Sequence, residues 1–227
     1  IRCIAVIGEG GRATLWSRTR KQIVSVPHIE RAIENLNLKP GTVLDGELYN
    51  HELRADFETI VSAVRKNEPA PIELATKIQY HVYDLPRSPN INGNDYNFGS
   101  RTTMLRYLIP DGANSKSFIR WVNTRTIYDQ EGLMELFEHC RKAGYEGCMA
   151  RNAGARYEEG KRSYSLQKLK EFDDAEFDIV GVEEGRGKMA GMAIFVCKTF
   201  GGPEFKVKME GELEGLKKYL NNPSTWR

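Results

Sequence analysis

Short segments in which every second residue is apolar recur along the chain, and glycine-rich turns separate several of them. A period of two predicts β-strands, whereas apolar residues three and four positions apart predict helices. The predicted strands are residues 2–8, 12–17, 42–49, 77–84, 146–151, 165–170, 177–182, 193–198 and 205–207. The predicted helices are residues 29–37, 56–65, 100–109, 130–143 and 213–220. The chain therefore mixes strands with helices, and its first two strands are predicted to form a hairpin.

Several local features sharpen this pattern. Residues 86–99 are rich in proline, asparagine and glycine, which predicts a loop. Ser100 is predicted to cap the helix that follows it, and Gly144 to end the helix at 130–143. After about residue 172 the sequence pattern changes and indicates three strands with tight turns, followed by a short helix. This pattern predicts the first half of a small β-barrel that is truncated by the chain end. Gly185-Arg186-Gly187-Lys188 lacks the Walker spacing and is predicted to be a hairpin turn with two exposed cations.

Length and composition limit the class of protein. The chain has 227 residues, of which 40% are hydrophobic and 28% charged, as in one large or two modest soluble domains. No apolar run approaches the roughly 20 residues that cross a bilayer, so a transmembrane protein is not expected. Residues 1–6 form a strand-like run without the features of a signal peptide. Because the chain does not begin with Met and stops at Trp226-Arg227 without a closing element, we expect both ends to be cuts in a longer protein.

Neither the charge balance nor the cysteines indicate a particular ligand. The net charge is 33 − 31 = +2, which does not by itself point to nucleic acid, although a basic groove is compatible with a neutral total. The four cysteines lack Cys-x-x-Cys spacing and a nearby histidine, which argues against a zinc site. Free thiols in a reducing compartment are therefore expected. The four histidines are scattered, and none is predicted to be a metal ligand.

Four short segments contain residues suited to phosphate chemistry. In chain order they are Ser17-Arg18, Asp45-Gly46-Glu47-Leu48, Glu146-Gly147-Cys148-Met149-Ala150-Arg151 and Lys168-Leu169-Lys170. Period-two spacing places Lys168 and Lys170 on one face of a strand, where two ammonium groups suit a phosphate. Glu47 and Glu146 each lie beside a glycine, and carboxylates together with phosphates hold Mg²⁺. These features favour a Mg²⁺-dependent nucleotide-phosphate site lined by strands, but spacing alone is equally compatible with a surface of scattered ion pairs.

The order of these segments resembles the ATP-dependent DNA ligases, within the covalent nucleotidyltransferase superfamily of ligases and capping enzymes. The Ser-Arg, Asp-Gly-Glu and Glu-Gly-x-Met-x-Arg segments are each similar to a family motif. Further similar segments are residues 80–84 (the aromatic-Asp strand whose ring stacks on adenine), residues 157–163 with 165–170 (ending in Lys-x-Lys) and residues 172–182 (the entry into the oligonucleotide-binding barrel). Each piece is weak alone, but their linked order through essentially the whole chain is a specific signal.

The resemblance implies an α+β fold. A nucleotidyltransferase (ATP-grasp-like) domain of antiparallel sheets flanked by helices is expected over 1–171, truncated at its N-terminus. A partial oligonucleotide-binding (OB) fold is expected over 172–227. The implied cofactors are ATP and Mg²⁺ or Mn²⁺, and the implied partner is nicked double-stranded DNA. A monomer without membrane contact is expected, inside the cell: in the cytoplasm or nucleoid of a bacterium or phage-infected cell, or in a eukaryotic nucleus.

The resemblance also implies roles for individual residues. Catalytic roles fall on Glu146, Lys168 and Lys170, and the two lysines are expected to clamp the α-phosphate. The nucleotide-binding residues are expected to be Arg2, Arg18, Glu47, Tyr83, Arg151, Lys168 and Lys170, with Glu47 on the ribose and Tyr83 stacked on adenine. The expected metal ligands are Glu146 and Glu47. Simpler interpretations stay open: Tyr83 as a core aromatic, Arg18 as a solvated charge and Arg151 as the partner of a surface carboxylate.

One family motif is missing. The family nucleophile is the lysine of Lys-x-Asp-Gly-x-Arg, and no Lys-x-Asp-Gly occurs in this sequence. Ile1-Arg2 matches the last two positions of that motif, so we expect a cut just after its glycine and a chain unable to adenylylate itself. The later basic motif of the barrel is expected to lie beyond Arg227. Two other functions stay open: an RNA ligase or capping-type nucleotidyltransferase, and a non-catalytic nucleic-acid-binding fragment.

Overall fold

The computed structural model describes residues 1–89, 91–92, 96–114, 116–161, 163–172 and 174–222, with only the backbone described at 91–92, 111 and 113. The chain divides into two compact units, Ile1–Glu171 and Phe172–Arg227. Antiparallel sheets and helices make up both units, so the predicted α+β class is confirmed. In the described part of the chain, no helix is both long and apolar enough to span a membrane.

A six-stranded sheet forms the centre of the first unit. Its strands are β1 (Arg2–Ile7), β2 (Ala13–Ser17), β3 (Val43–Tyr49), β4 (Gln79–Ser88), β5 (Ile91–Asn92) and β6 (Ile119–Trp121). Their order is β2-β1-β3-β4-β5, and β6 pairs with β4. The β4–β6 pairing is parallel and the other pairings are antiparallel. The predicted opening hairpin of β1 and β2 is confirmed.

Side chains alternate across this sheet and separate a core face from a polar face. On the core face lie Cys3 and Ala5 of β1 with Leu44 and Leu48 of β3, all completely buried. The polar face carries the side chains between them, which include Arg2, Asp45 and Glu47. This alternation follows from the two-residue repeat of a strand. The polar face therefore gathers residues from segments that are far apart in sequence.

The described residues of this unit include five α-helices, and three of these begin at a residue whose side chain caps the helix. The helices are α1 (Pro27–Glu34), α2 (Phe57–Val64), α3 (Ile72–Ala75), α4 (Phe98–Leu108) and α5 (Gln130–Lys142). The capping carboxylates or amides are those of Asp56, Asn97 and Asp129, each of which accepts a hydrogen bond from a first-turn backbone N–H. Gly144, with φ of +85°, follows α5 as predicted.

Three local predictions were wrong. Ser100 does not cap α4, because Asn97 precedes it and accepts a hydrogen bond from the Ser100 backbone N–H at 2.9 Å. The helix predicted at 29–37 begins earlier, with Pro27 in its first turn, and ends at Glu34. The predicted loop at 86–99 is wrong at its start, because β4 continues through Pro86 to Ser88 and β5 follows. Residues 90 and 93–95 of that stretch lie outside the described residues.

A separate two-stranded sheet follows α5. It pairs β7 (Gly147–Arg151) with β8 (Leu166–Lys170), antiparallel, with Met149 opposite Lys168 and Gly147 opposite Lys170. In the described residues this pair shares no backbone ladder with the six-stranded sheet. Its position against that sheet therefore depends on side chains and on the segments before β7 and between its two strands.

The second unit contains a three-stranded meander and one helix. The strands β9 (Asp178–Glu184), β10 (Ala193–Lys198) and β11 (Glu204–Val207) are ordered β11-β10-β9, and α6 (Leu213–Asn221) follows. Ala193, Phe195 and Cys197 of β10 form a small core with Leu216 of α6. The predicted meander and short helix are confirmed, and residues 223–227 lie outside the described residues.

Candidate functional site

Three predicted catalytic residues lie together at the β7–β8 sheet, with Glu146 directly before β7 and the two lysines on β8. The Nζ atom of Lys168 donates a hydrogen bond to Oε2 of Glu146 at 2.9 Å, and Nζ of Lys170 lies 3.8 Å from Oε1 of the same carboxylate. The bond from Lys168 lowers the pKa of Glu146, so this carboxylate is ionised at neutral pH. Glu146 is also well exposed, with 67% of its side chain accessible. One anion and two cations therefore meet at an open surface, where a phosphate can reach the ammonium groups.

A close approach of the two strands explains the glycine that follows Glu146. A Cβ atom on Gly147 would overlap the carbonyl oxygen of Leu169 on β8. Only glycine permits this spacing of the backbones. The Glu-Gly pair in the sequence thus places the carboxylate at the point where β7 comes against the end of β8.

Arg2 of β1 is held by a buried carboxylate on the neighbouring strand. Its Nε and Nη2 atoms donate to the two oxygens of Asp45 at 3.1 and 2.8 Å. The hydroxyl of Tyr157 donates to the same carboxylate at 2.7 Å, and Nη2 of Arg2 also reaches that hydroxyl at 3.3 Å. Burial, together with the Asp45 charge, raises the pKa of Tyr157, so its phenol remains protonated. Arg2 is therefore fixed in direction while about half of its side chain remains exposed.

A second buried carboxylate lies directly across from the first. Asp84 of β4 is the register partner of Asp45, and the register of the two strands shifts on both sides of this pair. β4 has one extra residue at each shift, which is the mark of a β-bulge. One of these bulges falls at Tyr83, between the pairs Gly46–Val82 and Asp45–Asp84. The bulge turns Asp84 toward the polar face of the sheet.

Asp84 binds two arginines. Arg101 of α4 donates from Nε to Oδ1 at 2.7 Å and from Nη2 to Oδ2 at 3.1 Å, and both side chains are almost completely buried. Arg151, the last residue of β7, donates from Nη1 to Oδ2 of the same carboxylate. The guanidinium of Arg151 lies over the ring of Phe98, 4.5 Å from its centre. The partner of Arg151 is thus a buried carboxylate, unlike the surface carboxylate of the simpler interpretation.

The remaining predicted nucleotide-binding residues lie around this face. Glu47 of β3 is opposite Arg2 and exposed, and its carboxylate accepts a hydrogen bond from the amino group of Ile1 at 2.9 Å. Tyr83 is half-buried, and burial raises its pKa, as does the neighbouring Asp45 charge. Arg18 is exposed in the turn after β2, and no contact of the described residues joins it to the other candidates. The structure therefore gathers Arg2, Glu47 and Tyr83 but not Arg18.

Tyr80 and Tyr83, the two tyrosines of the segment at 80–84, have different environments. Tyr80 is completely buried, and its hydroxyl lies 3.0 Å from the carbonyl oxygens of both Cys3 and Leu44. The Tyr80 ring also packs against Gly46, where a side chain would collide with it. Tyr80 is thus a core residue, whereas Tyr83 keeps part of its ring accessible.

The acidic residues present fit one mode of metal binding. In the ranges that the structure describes, no three His, Cys, Asp or Glu side chains form a group that could hold a metal ion. Glu146 is a single exposed carboxylate beside two lysines, so the protein side chains alone offer too few ligands to surround a cation. This donor set fits Mg²⁺ as proteins commonly bind it, through one or two carboxylates with water and substrate phosphates completing the shell.

Sequence reasoning missed four residues of this arrangement as site residues. Asp45, Asp84 and Tyr157 stand inside the segments that carried the resemblance, so their positions in those motifs were the available signal. Arg101 had no such signal. Its role depends on contacts with residues that are distant in sequence, and these are visible only in the fold.

Comparison with known proteins identifies the family of this chain. Residues 1–170 match the family model described as ATP dependent DNA ligase domain. The chain belongs to this ligase domain family. A DNA ligase of African swine fever virus (isolate Pig/Kenya/KEN-50/1950) is 28% identical over 204 residues, which are 87% of this chain and 46% of the relative. A DNA ligase of Halobacterium salinarum (strain ATCC 29341 / DSM 671 / R1) is 24% identical over 193 residues, or 80% of this chain and 33% of the relative. This chain thus spans about half of the length of the viral relative and about a third of that of the Halobacterium relative.

Solved structures show the same ligase fold. A structure of a Lig E DNA ligase, described as binding DNA with a minimal scaffold, superposes with a TM-score of 0.73 and 26% identity, covering 96% of this chain and 77% of that one. Chlorella virus DNA ligase-adenylate superposes with a TM-score of 0.57 and 19% identity, covering 99% of this chain and 78% of that one. The second likeness concerns the fold alone.

Proposed function

We propose that this chain is the nucleotidyltransferase part of an ATP-dependent DNA ligase that seals nicks in duplex DNA through enzyme-adenylate and DNA-adenylate intermediates. The observation that carries the proposal is the group formed by Glu146, Lys168 and Lys170. Lys168 and Lys170 stand on β8, and Glu146 directly precedes β7, the strand paired with it, within the segment that matches the ligase family model. Two ammonium groups at an open surface suit the charge that develops on a transferring phosphate.

The proposal gives complementary roles to the two lysines, to residues of the polar face of the six-stranded sheet and to Arg18. Lys168 and Lys170 clamp the α-phosphate, and Arg2, aimed by Asp45 and Tyr157, binds the nucleotide or the 5′-phosphate of the nick. Glu47 binds the ribose and Tyr83 stacks on adenine. Arg18 belongs to this proposal as a contact to DNA phosphate, since it is exposed beside further cations of the same turn.

A divalent cation, Mg²⁺ or Mn²⁺, is part of the proposal. Glu146 is its first candidate ligand and Glu47 the second. When bound, the cation supplies positive charge that offsets the charge on the phosphate oxygens. Residues 1–171 are proposed as the adenylation domain, and residues 172–227 as part of an OB fold that contacts nicked duplex DNA. We expect the protein to act as a monomer on DNA inside the cell.

The first test asks which nucleotide the chain binds. ATP is expected to raise the melting temperature of the chain, whereas GTP at the same concentration is not. Protection by GTP alone would favour the capping-type alternative. Lys168→Ala is expected to abolish the shift. Lys206→Ala is the matched control, because Lys206 of β11 also pairs with an exposed glutamate. Its Nζ atom lies 2.6 Å from Oε2 of Glu183 on β9.

The second test asks for sealing. The 227 residues contain no Lys-x-Asp-Gly sequence, so the substrate is a nick that already carries AMP on its 5′-phosphate. The 3′-hydroxyl oxygen attacks that phosphorus, a new P–O bond forms, the P–O bond to AMP breaks, and the hydroxyl proton passes to solvent. Sealing by the wild-type chain and by Lys66→Ala, which changes an exposed lysine after α2, with loss in Lys168→Ala, supports the proposal. Binding of the adenylylated nick without any sealing contradicts it and favours a non-catalytic binding fragment.

A further inference from the structure

The pair formed by Asp84 and Arg101 lies behind Arg151 and is shielded from solvent. The Arg101 guanidinium donates four hydrogen bonds. The acceptors are both Asp84 oxygens, the Tyr96 carbonyl at 2.6 Å and the Ala155 carbonyl at 3.3 Å. Asp84 also accepts a hydrogen bond from the backbone N–H of Leu85 at 2.8 Å. A carboxylate and a guanidinium buried together in this way balance one another and need no further cation.

Arg151 is nevertheless a second cation on the same carboxylate. The three side chains together carry a net charge of +1, and Arg151 alone among them reaches solvent, with 16% of its side chain exposed. The Phe98 ring supports the other side of its guanidinium. Arg151 is therefore held in one direction without being neutralised.

The same contacts fasten the β7–β8 sheet to the rest of the unit. The segment after β7 bonds to the first turn of α4, from the Phe98 N–H to the Ala155 carbonyl at 2.8 Å and from the Gly99 N–H to the Ala153 carbonyl at 3.0 Å. Arg101 adds its own bond to the Ala155 carbonyl. Since β7–β8 shares no described backbone ladder with the six-stranded sheet, these contacts help to locate Glu146 and the two lysines, together with contacts before β7, where the rings of His51 and Tyr145 stack at 4.2 Å.

We propose that Arg101 and Asp84 are positioning residues that act through Arg151, aiming its guanidinium at the nucleotide or nick phosphate and holding the β7–β8 sheet against β4. The inference rests on the proposed function for its activity measurement. Its structural part stands independently of that function, because it concerns only the attachment of β7–β8.

The test uses the full chain with Arg101→Lys, Arg151→Lys and the double variant. Lysine keeps the charge but cannot make the forked contacts of arginine, so each exchange breaks the geometry without leaving a buried carboxylate unpaired. Arg106→Lys is the matched control: it lies on the same helix, donates to the Thr124 carbonyl at 2.9 Å and stacks on Trp121. Single-turnover sealing of an adenylylated nick and hydrogen exchange over 147–151 and 166–170 are measured on all four.

The expected result has three parts. Each single variant slows sealing at saturating DNA by about tenfold to a hundredfold, because a shift of about 1 Å in a positioned group costs that much. The DNA concentration for half-saturation changes less than about twofold, and the double variant is no slower than the slower single variant, as for residues acting as one unit. Exchange in β7–β8 accelerates in the variants and not in Arg106→Lys.

Other results overturn the inference. The inference is wrong if Arg101→Lys seals at the wild-type rate. It is also wrong if the slowing of the double variant equals the product of the two single effects, because the residues then act independently. If Arg101→Lys does not fold, Arg151→Lys decides through hydrogen exchange, and unchanged protection of β7–β8 overturns the proposal. If the wild-type chain does not seal the nick, the proposed function is wrong, while the exchange measurement still decides the attachment.

Discussion

Asp45 of β3 and Asp84 of β4 lie directly opposite one another on neighbouring strands, and both side chains are buried. Two like charges in such a pair repel one another. Each carboxylate is compensated by a guanidinium that bonds to both of its oxygens, Arg2 for Asp45 and Arg101 for Asp84. The sheet therefore tolerates the pair only while both arginines remain in place, and the residues around it are sensitive to substitution.

Tyr157→Phe tests the support of Asp45. The variant removes the hydroxyl that donates to Oδ2 of Asp45, a hydrogen bond to a charged group, and is expected to lower the free energy of unfolding by about 1.5–3 kcal/mol. Urea unfolding followed by tryptophan fluorescence measures this, since Trp16 and Trp121 belong to the same unit. Tyr164→Phe is the control, because Tyr164 is 97% exposed, and is expected to change stability by less than about 0.5 kcal/mol. Equal effects of the two exchanges would contradict the assignment.

Gly147→Ala tests the close approach of β7 and β8. The added methyl group would overlap the Leu169 carbonyl oxygen, so the strands must separate and the pairing beside Glu146 must weaken. We expect faster hydrogen exchange over 147–151 and a loss of ATP-induced stabilisation. Gly99→Ala is the control in the same unit, since a Cβ there meets only ordinary contacts, the nearer at 3.5 Å. Undiminished protection of β7 in Gly147→Ala would show that the spacing is not restrictive.

Glu146→Gln tests competition between the carboxylate and a bound phosphate. Without metal, the Glu146 charge opposes an incoming phosphate at Lys168 and Lys170, so its removal is expected to tighten ATP binding about two- to fivefold in EDTA, the scale of an exposed ion pair. In Mg²⁺ the advantage is expected to disappear, because the proposed metal ligand is lost as well. Isothermal titration calorimetry measures both, with Glu183→Gln as the control for an exposed Lys–Glu pair. Weaker binding of ATP to Glu146→Gln in EDTA would refute the competition.

Stability is expected to fall on acidification because of His81. Burial, with a smaller effect of the Arg120 charge, lowers the pKa of His81 from its usual 6.5 to about 4. The folded pKa is the lower one, so the contribution is complete above pH 6.5 and is lost as the pH falls toward 4, because only the unfolded chain takes up the proton there. The loss amounts to about 3 kcal/mol.

Urea unfolding between pH 4 and 7 measures this dependence. His81→Gln is expected to flatten the slope in that window, while a residual slope remains from His28, whose pKa burial also lowers. His139→Gln, at an exposed position of α5, is the control for the loss of a histidine side chain. An unaltered slope in His81→Gln would remove His81 as its cause.

Periodicity in the sequence was sufficient to predict most strands and helices, because the alternation of core and polar residues is local. It predicted that Lys168 and Lys170 share one face of a strand, and both lie beside Glu146. It failed where two residues compete for one role: Asn97 and Ser100 both suit a helix cap, and propensity does not choose between them. It also failed at Pro86, which indicates a loop in most sequences but here lies in β4, where the strand carries a bulge.

Residues of the candidate site could be predicted only where they belong to a recognisable sequence motif. Arg101 binds a carboxylate 17 positions before it and a carbonyl 54 positions after it. No local pattern encodes such contacts, since they depend on the arrangement of β4, α4 and the segment after β7. The resemblance supplied Glu146, Lys168 and Arg151, while the residues that hold them in place required the fold.

Sequence separation within the site has a consequence for the order in which the chain folds. Glu146 and Lys168 are 22 positions apart, whereas Arg2 and Tyr157 are 155 positions apart. Closing a longer loop costs more chain entropy, and contacts between distant residues form more slowly. The β7–β8 sheet with its two lysines can thus form within a short stretch of the chain. The contacts that hold Arg2 can form only after residues from both ends of the first unit come together. We therefore expect the two halves of the candidate site to form at different times, with the local half first.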